Sequence, residues 1–268
     1  MHEDSHWSGP APLQPEKCNA ALVLQDGSVF WGYGAGLSGQ DYKDTVGEVC
    51  FNTSYTGYQE ILTDPSYSNQ IITFTFPHIG NTGTNNHDIE SRKPAAKGLV
   101  IREDITHQSN FRATNHFNNW LKENKLIGIC GVDTRQITHL LREKGSINAA
   151  IVHKENGVFN LKNISKKRSK WNGIKGCDLT QYVTREKKDY WNQTTWIKMK
   201  KYGKNKKKKF HIIAIDYGAK NNILRNLASL GCKITVVPSK TSAKNIFQKM
   251  PDGIFLSNGP GDPAATGK

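Results

Sequence analysis

The sequence predicts an α/β chain in which a strand-rich mixed α/β N-terminal domain is followed by the first part of a doubly wound parallel-sheet domain. Three observations predict it. From Ala20 to His153, apolar runs rich in Val, Ile, Phe and Thr recur between turn residues, with two stretches of helical spacing among them. After residue 210 the rhythm becomes strand, helix, strand, helix, strand. A lysine-dominated stretch lies between the two patterns.

In chain order, residues 1–19 are polar and carry Pro10, Pro12 and Pro15 without an apolar centre, so they read as a flexible tail and not as a secretion signal. Ala21-Leu22-Val23-Leu24 and Val29-Phe30-Trp31 flank Asp26-Gly27, and an Asp-Gly between apolar runs predicts a hairpin. Further strands are expected at 48–53, 70–76, 98–102, 127–130 and 148–153. Phe117, Trp120 and Leu121 repeat at helical spacing after Thr114. Ile137, Leu140 and Leu141 do so after Asp133, with Gln136 placed for a capping box and Gly145 as the stop. These elements define a domain over 20–155.

Residues 156–210 read as a connecting segment. Between Lys198 and Phe210 stand eight lysines and no acid, ending in Lys206-Lys207-Lys208-Lys209, and a like-charge block of this kind is expected to stay solvated. From 211 to 268, His211–Asp216, Lys233–Val237 and Gly253–Leu256 read as strands. Asn221–Leu230, stopped by Gly231, and Ser242–Met250 read as helices. Three strands and two helices are too few to cover both faces of a parallel sheet, so this segment reads as an incomplete domain.

Composition narrows the function classes. The net charge of +14 invites a nucleic-acid partner, and Trp171, Trp191 and Trp196 lie near the basic runs, but without the eight lysines the balance is +6. The solvated linker is the favoured reading, and nucleic acid is disfavoured as a partner. No apolar run approaches the roughly 18 residues of a membrane span. The five cysteines (Cys18, Cys50, Cys130, Cys177 and Cys232) are odd in number, widely spaced and free of any C-x-x-C pair, which fits reduced thiols in a cytoplasm. The nine histidines show no pairing with Cys or acids at metal-ligand spacing, so no metal site is expected.

Chemistry concentrates in Phe255-Leu256-Ser257-Asn258-Gly259-Pro260-Gly261-Asp262-Pro263. Here an apolar strand breaks into a loop whose glycines let a ligand approach the main chain while its prolines stiffen the bend. That composition suits an anion or oxyanion cradle. Read from the residues alone, an ordinary tight turn after a parallel strand is the favoured reading.

Gly47-Glu48-Val49-Cys50-Phe51-Asn52-Thr53-Ser54-Tyr55-Thr56-Gly57-Tyr58-Gln59-Glu60-Ile61-Leu62-Thr63-Asp64-Pro65-Ser66-Tyr67, continued by Phe76-Pro77-His78-Ile79-Gly80-Asn81, resembles the N-terminal domain of the small, glutamine-hydrolysing chain of carbamoyl phosphate synthetase. Asp133-Thr134-Arg135, Leu140 to Gly145, Asp216-Tyr217-Gly218-Ala219-Lys220 and the Leu256 to Pro263 loop follow in the family's order. The resemblance runs from about Ala20 to Pro263 and implies that the second domain is the start of a class I glutamine amidotransferase domain. It further implies release of ammonia from L-glutamine for a large synthetase chain. That partner would carry ATP and Mg2+, use bicarbonate, and make carbamoyl phosphate for arginine and pyrimidine synthesis; no cofactor is expected on this chain.

Residue by residue, the resemblance implies that Ser66 reaches from the N-terminal domain to the amino-acid end of glutamine and that Gly259 and Gly261 form the loop that binds it. The Gly259 N–H is the candidate oxyanion donor, a role worth about 3 kcal/mol of barrier in comparable sites. Read locally, Ser66 is also a turn cap after Asp64-Pro65. The family's Cys, His and Glu are expected beyond Lys268, so no catalytic residue is assigned within 1–268, and the chain as it stands is expected to be C-terminally truncated and inactive alone. Gly128-Ile129-Cys130-Gly131 looks like half a nucleophile elbow, but it leads into a capped helix, and Cys130 reads as a small core residue. Three other classes stay open: an amidotransferase chain serving a synthetase of another pathway, a catalytically silent docking or regulatory homologue, and a basic nucleic-acid-binding protein.

Overall fold

The computed structural model describes residues 13–39, 45–158, 160–198, 201–206 and 209–266. The chain divides into two compact units. The first comprises Met1–Leu62, Asn69–Asp88 and Ala96–Gly173, and the second Thr63–Ser68, Ile89–Ala95 and Ile174–Lys268.

The first unit is a seven-stranded barrel. Its strands are β1 (Ala20–Leu24), β2 (Val29–Gly36), β3 (Val46–Asn52), β4 (Gln70–Phe74), β5 (Gly98–Val100), β6 (Ile127–Cys130) and β7 (Ile147–His153), closed in the order β1-β2-β6-β5-β4-β3-β7. The β3–β4, β4–β5 and β5–β6 pairs are parallel and the rest antiparallel. Around them run α1 (Tyr58–Thr63), α2 (Phe117–Glu123), α3 (Thr134–Lys144) and α4 (Leu161–Arg168).

The apolar run Ala-Ala-Leu-Val-Leu of β1 is buried along its whole length because successive side chains point to opposite faces and both faces are covered. Ala20, Leu22 and Leu24 pack with Val49, Ile71, Ile129 and Ile151 and with Ile137 and Leu141 of α3. Ala21 and Val23 pack with Val152 and with Leu161 and Ile164 of α4. Asp133 caps α3 as expected, accepting from the Arg135 N–H at 3.0 Å and the Gln136 N–H at 3.2 Å, and Gly145 ends it with φ 79°. For α2 the cap is His116, whose Nδ1 accepts from the Asn118 N–H at 3.2 Å, and not Thr114, whose hydroxyl donates instead to the Thr84 carbonyl.

His153 at the end of β7 is a core histidine. Its ring fills the space beside Gly34, where a Cβ would stand 1.9 Å from the ring, and Nδ1 lies 3.1 Å from the Leu37 carbonyl oxygen. Burial lowers its pKa below the ordinary 6.5, only partly offset by that carbonyl. The folded state therefore favours the neutral ring, and its contribution is fully present above pH 6.5 and declines as pH falls below that value towards the lowered folded pKa. In denaturant titrations at pH 7.5 and 5.5, wild type should lose more stability on acidification than His153→Gln; equal losses would contradict this assignment.

The second unit holds α5 (Thr180–Val183), β8 (Asp189–Trp191), β9 (Gln193–Ile197), β10 (Lys201–Lys204), β11 (Phe210–Asp216), α6 (Asn221–Ser229), β12 (Cys232–Pro238), α7 (Ala243–Phe247) and β13 (Gly253–Leu256). Its sheet has the order β13-β11-β12-β8, with β11 parallel to both β12 and β13, and β8 antiparallel to β12. Ala214 of β11 packs with Leu224 and Ala228 of α6, whereas Ile213 and Ile215 pack with Ile246 of α7. The two helices thus cover opposite faces, as in a doubly wound sheet.

The expected connecting segment at 156–210 takes a different form. Its first part is α4, packed on the barrel, and from residue 174 onward the segment belongs to the second unit. The lysine-rich run enters an antiparallel hairpin in which Trp196 faces Tyr202 and Ile197 faces Lys201. The Arg225 guanidinium of α6 lies 4.1 Å from the Tyr202 ring centroid, and its Nε donates to Gln193 Oε1 at 2.9 Å. The aromatic face anchors the hairpin while Lys198, Lys201, Lys204 and Lys206 stay exposed, so like charges never approach each other in a buried place. Lys200, Lys207 and Lys208 lie outside the described residues, as do residues 1–12 of the expected flexible tail. Asn19, at the end of that tail, is fixed: its Oδ1 accepts from the Gly34 N–H at 2.8 Å.

Candidate functional site

The strand order of the second unit reverses at one place. The chain leaves β11 through α6 to β12 on one side and returns through α7 to β13 on the other, so the order reverses between β11 and β13. In such sheets the carboxyl ends of the strands at the reversal diverge and leave room for a ligand. The loops there are Tyr217–Lys220 after β11 and Ser257–Asp262 after β13.

Both loops are built on side chains that accept main-chain N–H groups. Asp216, 2% exposed, accepts from Gly218 at 3.0 Å and Ala219 at 2.7 Å through Oδ1, and from the Arg185 N–H at 2.9 Å through Oδ2. Ser257 Oγ accepts from the Tyr217 N–H at 2.9 Å and donates to the Asn258 carbonyl at 2.7 Å, which joins the two loops. At the far end Asp262 accepts from the Gly176 N–H and the Ala264 N–H, both at 2.9 Å. These two donors, Gly176 first, hold the Asp262 carboxyl below the usual carboxylate range.

The glycines are required for a reason the sequence did not disclose. A Cβ on Gly259 would lie 2.3 Å from the Tyr217 carbonyl oxygen, and one on Gly261, at φ 88°, would lie 2.5 Å from the Cys177 carbonyl oxygen. Their bare faces are therefore filled by neighbouring backbone and not held open for a ligand. The Gly259 N–H donates to no acceptor among the described residues, and it belongs to an exposed residue just before the buried Pro260.

Ser66 belongs to the same compact unit as this loop, whereas the resemblance implied a hydroxyl reaching over from the N-terminal domain. It sits in a short 3-10 turn, Pro65–Tyr67, capped by Asp64, whose Oδ1 accepts the Ser66 N–H at 2.9 Å. The turn-cap reading and the ligand reading are thus compatible, because the turn uses the backbone N–H and Asp64. The Ser66 hydroxyl accepts from Asn258 Nδ2 at 2.7 Å, next to Gly259. Asp64 Oδ2 lies 3.2 Å from Lys220 Nζ. Glu90 holds the start of α6, with its carbonyl accepting from the Asn221 N–H at 3.0 Å and its Oε2 from the Asn222 N–H at 2.8 Å. Burial raises the pKa of its carboxyl despite the Asn222 donor.

Asp64, Lys220 and Asn258 are the residues that sequence reasoning passed over. All three stand inside motifs quoted for the resemblance, but only the contacts of Asn258 and Asp64 with Ser66, and of Lys220 with Asp64, give them a role. Elsewhere Cys130 is buried in β6, its Sγ donating to the Tyr33 carbonyl at 3.3 Å, and burial together with Asp104 pushes its thiol up to about 12. Such a thiol stays protonated at neutral pH and is no nucleophile. Among the described residues no group of three or more His, Cys, Asp or Glu side chains is arranged to hold a metal ion, and no helix is long and apolar enough to cross a membrane.

Comparison with known proteins places this geometry in a family. Residues 22–151 match the family described as carbamoyl-phosphate synthase small chain, CPSase domain, and residues 213–268 match glutamine amidotransferase class-I. The carbamoyl phosphate synthase small chain of Bradyrhizobium diazoefficiens is 53% identical over 262 residues, covering 96% of this chain and 65% of the relative. Those of Mesorhizobium japonicum and Bartonella quintana are 51% and 50% identical over 256 and 261 residues, covering 94% and 96% of this chain and 63% and 65% of the relatives. The chain thus spans somewhat less than two thirds of the length of these relatives. With both domains matched in order and half the residues identical, the chain belongs to the family of carbamoyl phosphate synthase small chains.

Proposed function

We propose that this chain supplies the glutamine-binding side of the amidotransferase site in a glutamine-hydrolysing carbamoyl phosphate synthetase. L-glutamine lies at the carboxyl ends of β11 and β13, its amino-acid end on Ser66 and its amide along the Gly259–Gly261 loop. The Gly259 N–H faces the carbonyl oxygen as it gains charge in the tetrahedral intermediate. In the full-length protein a cysteine thiolate attacks that carbonyl. The amide nitrogen leaves as ammonia after taking a proton from histidine, and water then cleaves the thioester to glutamate. None of residues 1–268 is assigned as that nucleophile.

Ammonia passes to a large synthetase chain that holds ATP and Mg2+ and uses bicarbonate, in the cytoplasm, in the service of arginine and pyrimidine synthesis. No cofactor is assigned to this chain, and neither nucleic acid nor a membrane is a proposed partner. The observation that carries this reading is the 2.7 Å hydrogen bond from Asn258 to the Ser66 hydroxyl, which ties that hydroxyl to the residue preceding Gly259 in the loop at the strand-order reversal. The test uses the full-length small chain with its large chain. Ser66→Ala should raise KM for glutamine about tenfold, the worth of a hydrogen bond to a charged group, and leave synthesis from free ammonia unchanged. Equal losses with both nitrogen donors, or no change with either, would overturn it.

A further inference from the structure

Ser66 Oγ, as an alcohol oxygen, can accept hydrogen bonds through its lone pairs and donate through one hydrogen. Which of these faces a ligand is decided by its protein partners. Asn258 Nδ2 donates to Oγ at 2.7 Å, so an accepting position is taken, and among the described residues the hydroxyl hydrogen has no acceptor. An asparagine amide could be turned the other way, with its oxygen accepting from Ser66. That orientation would aim Nδ2 at the Lys220 backbone N–H, which lies 3.4 Å from the position Oδ1 occupies, and two donors would then face each other. The Lys220 N–H thus keys Asn258, and Asn258 keys Ser66.

A second anchor acts through the backbone. Lys220 Nζ pairs with Asp64 Oδ2 at 3.2 Å while Asp64 Oδ1 takes the Ser66 N–H at 2.9 Å, so the same lysine steadies the turn that carries the hydroxyl. Asn258 is itself held on the far side, its carbonyl accepting from Ser257 Oγ.

We propose that Asn258 is a positioning residue that, by donating to Ser66 Oγ, turns the hydroxyl hydrogen away from itself and toward the ligand, so that the site favours ligands presenting an anionic α-carboxylate to that hydroxyl. The inference rests on the reading that Ser66 touches glutamine. An amino acid's carboxylate is acceptor-only and charged, and it gains most from a hydroxyl whose hydrogen is already turned outward. The corresponding α-carboxamide can turn its own NH2 toward a freely rotating hydroxyl, but gains less from one whose hydrogen is already turned outward, because its carbonyl oxygen is a neutral acceptor. The Asn258 amide therefore contributes discrimination between the two without touching either.

The experiment measures kcat and KM of the full-length small chain with its large chain, using L-glutamine and glutamine α-carboxamide, with ammonia-dependent synthesis as the control for folding and assembly. The variants are Ser66→Ala, Asn258→Leu, Asn258→Asp and the double variant Ser66→Ala/Asn258→Leu. Asn258→Leu should raise KM for L-glutamine about threefold, less than Ser66→Ala because the freed hydroxyl can still donate, with kcat within about twofold, and lower the preference for carboxylate over carboxamide. The double variant should match Ser66→Ala alone, because Asn258 acts only through the hydroxyl. Asn258→Asp, which inverts the hydrogen bond at constant shape and adds a charge, should lose L-glutamine more severely than the carboxamide. If Ser66→Ala leaves KM for glutamine unchanged, the site reading itself fails. If Ser66→Ala acts but Asn258→Leu has no effect, adds to it independently, or lowers kcat with the carboxylate preference kept, the positioning role is wrong and the site reading stands.

Discussion

Replacing Gly259 by alanine should lower glutamine-dependent synthesis by the full-length protein at least about 100-fold, the cost of misplacing a reacting group by an ångström or of losing one oxyanion donor. A Cβ at this position meets the Tyr217 carbonyl oxygen at 2.3 Å and the Tyr217 carbonyl carbon at 3.0 Å, and backbone atoms cannot rotate out of the way. Nor can Tyr217 retreat freely. Its N–H is held by Ser257 Oγ at 2.9 Å, and Asp216, just before it, is fixed through three main-chain N–H groups. The Gly259 loop must therefore move, and the Gly259 N–H moves with it. Synthesis from free ammonia should persist, since the loop serves only the amide. A glutamine-dependent rate within threefold of wild type would show that the reacting carbonyl does not lie against this loop.

Asp216→Ala should destabilise the second unit by about 3–5 kcal/mol, the cost of removing one partner from a buried charge pair. The carboxylate is 2% exposed and accepts from three main-chain N–H groups, with Arg185 Nη1 at 3.4 Å in addition. Its loss leaves the buried Gly218 and Ala219 N–H groups and the Arg185 N–H without an acceptor, and leaves the largely buried Arg185 guanidinium with Asp189, 3.7 Å away and half exposed, and the Trp191 ring, 5.6 Å away. Asp216→Asn should cost less, because an amide oxygen can still serve Gly218 and Ala219 while its NH2 faces the Arg185 donors. Hydrogen exchange of the β11 and β12 amides reads the effect directly. Protection unchanged in the alanine variant would mean that the loop after β11 is held by other means.

Much of this chain was legible before any coordinates. The strands and helices from β11 to β13 fall within a few residues of their expected places, because apolar period and the Gly231 stop are local signals that the tertiary structure had no cause to override. The Asp26-Gly27 hairpin and the Asp133 cap of α3 were readable for the same reason. The family was readable too, in the long run from Gly47 to Tyr67 and the ordered motifs after it, and the comparisons agree. The hairpin of β9 and β10 was not. Its lysines announce a solvated block, and only the anchoring of Tyr202 on Arg225 and the approach of Thr195 to Ser229 Oγ at 3.0 Å show why the strands hold.

By itself the sequence determined the local elements, the order of the two domains and the family, since each is written in residues close together in the chain. Tertiary structure alone decided that the seven N-terminal strands close into a barrel, that Gly259 and Gly261 are demanded by neighbouring carbonyls, and that Ser66 shares a compact unit with Asn258, 192 residues away in the chain. The physical reason is one of range. Backbone preference and side-chain period act over a few residues, whereas the partner of a buried strand edge or of a hydroxyl is chosen by packing across the whole fold.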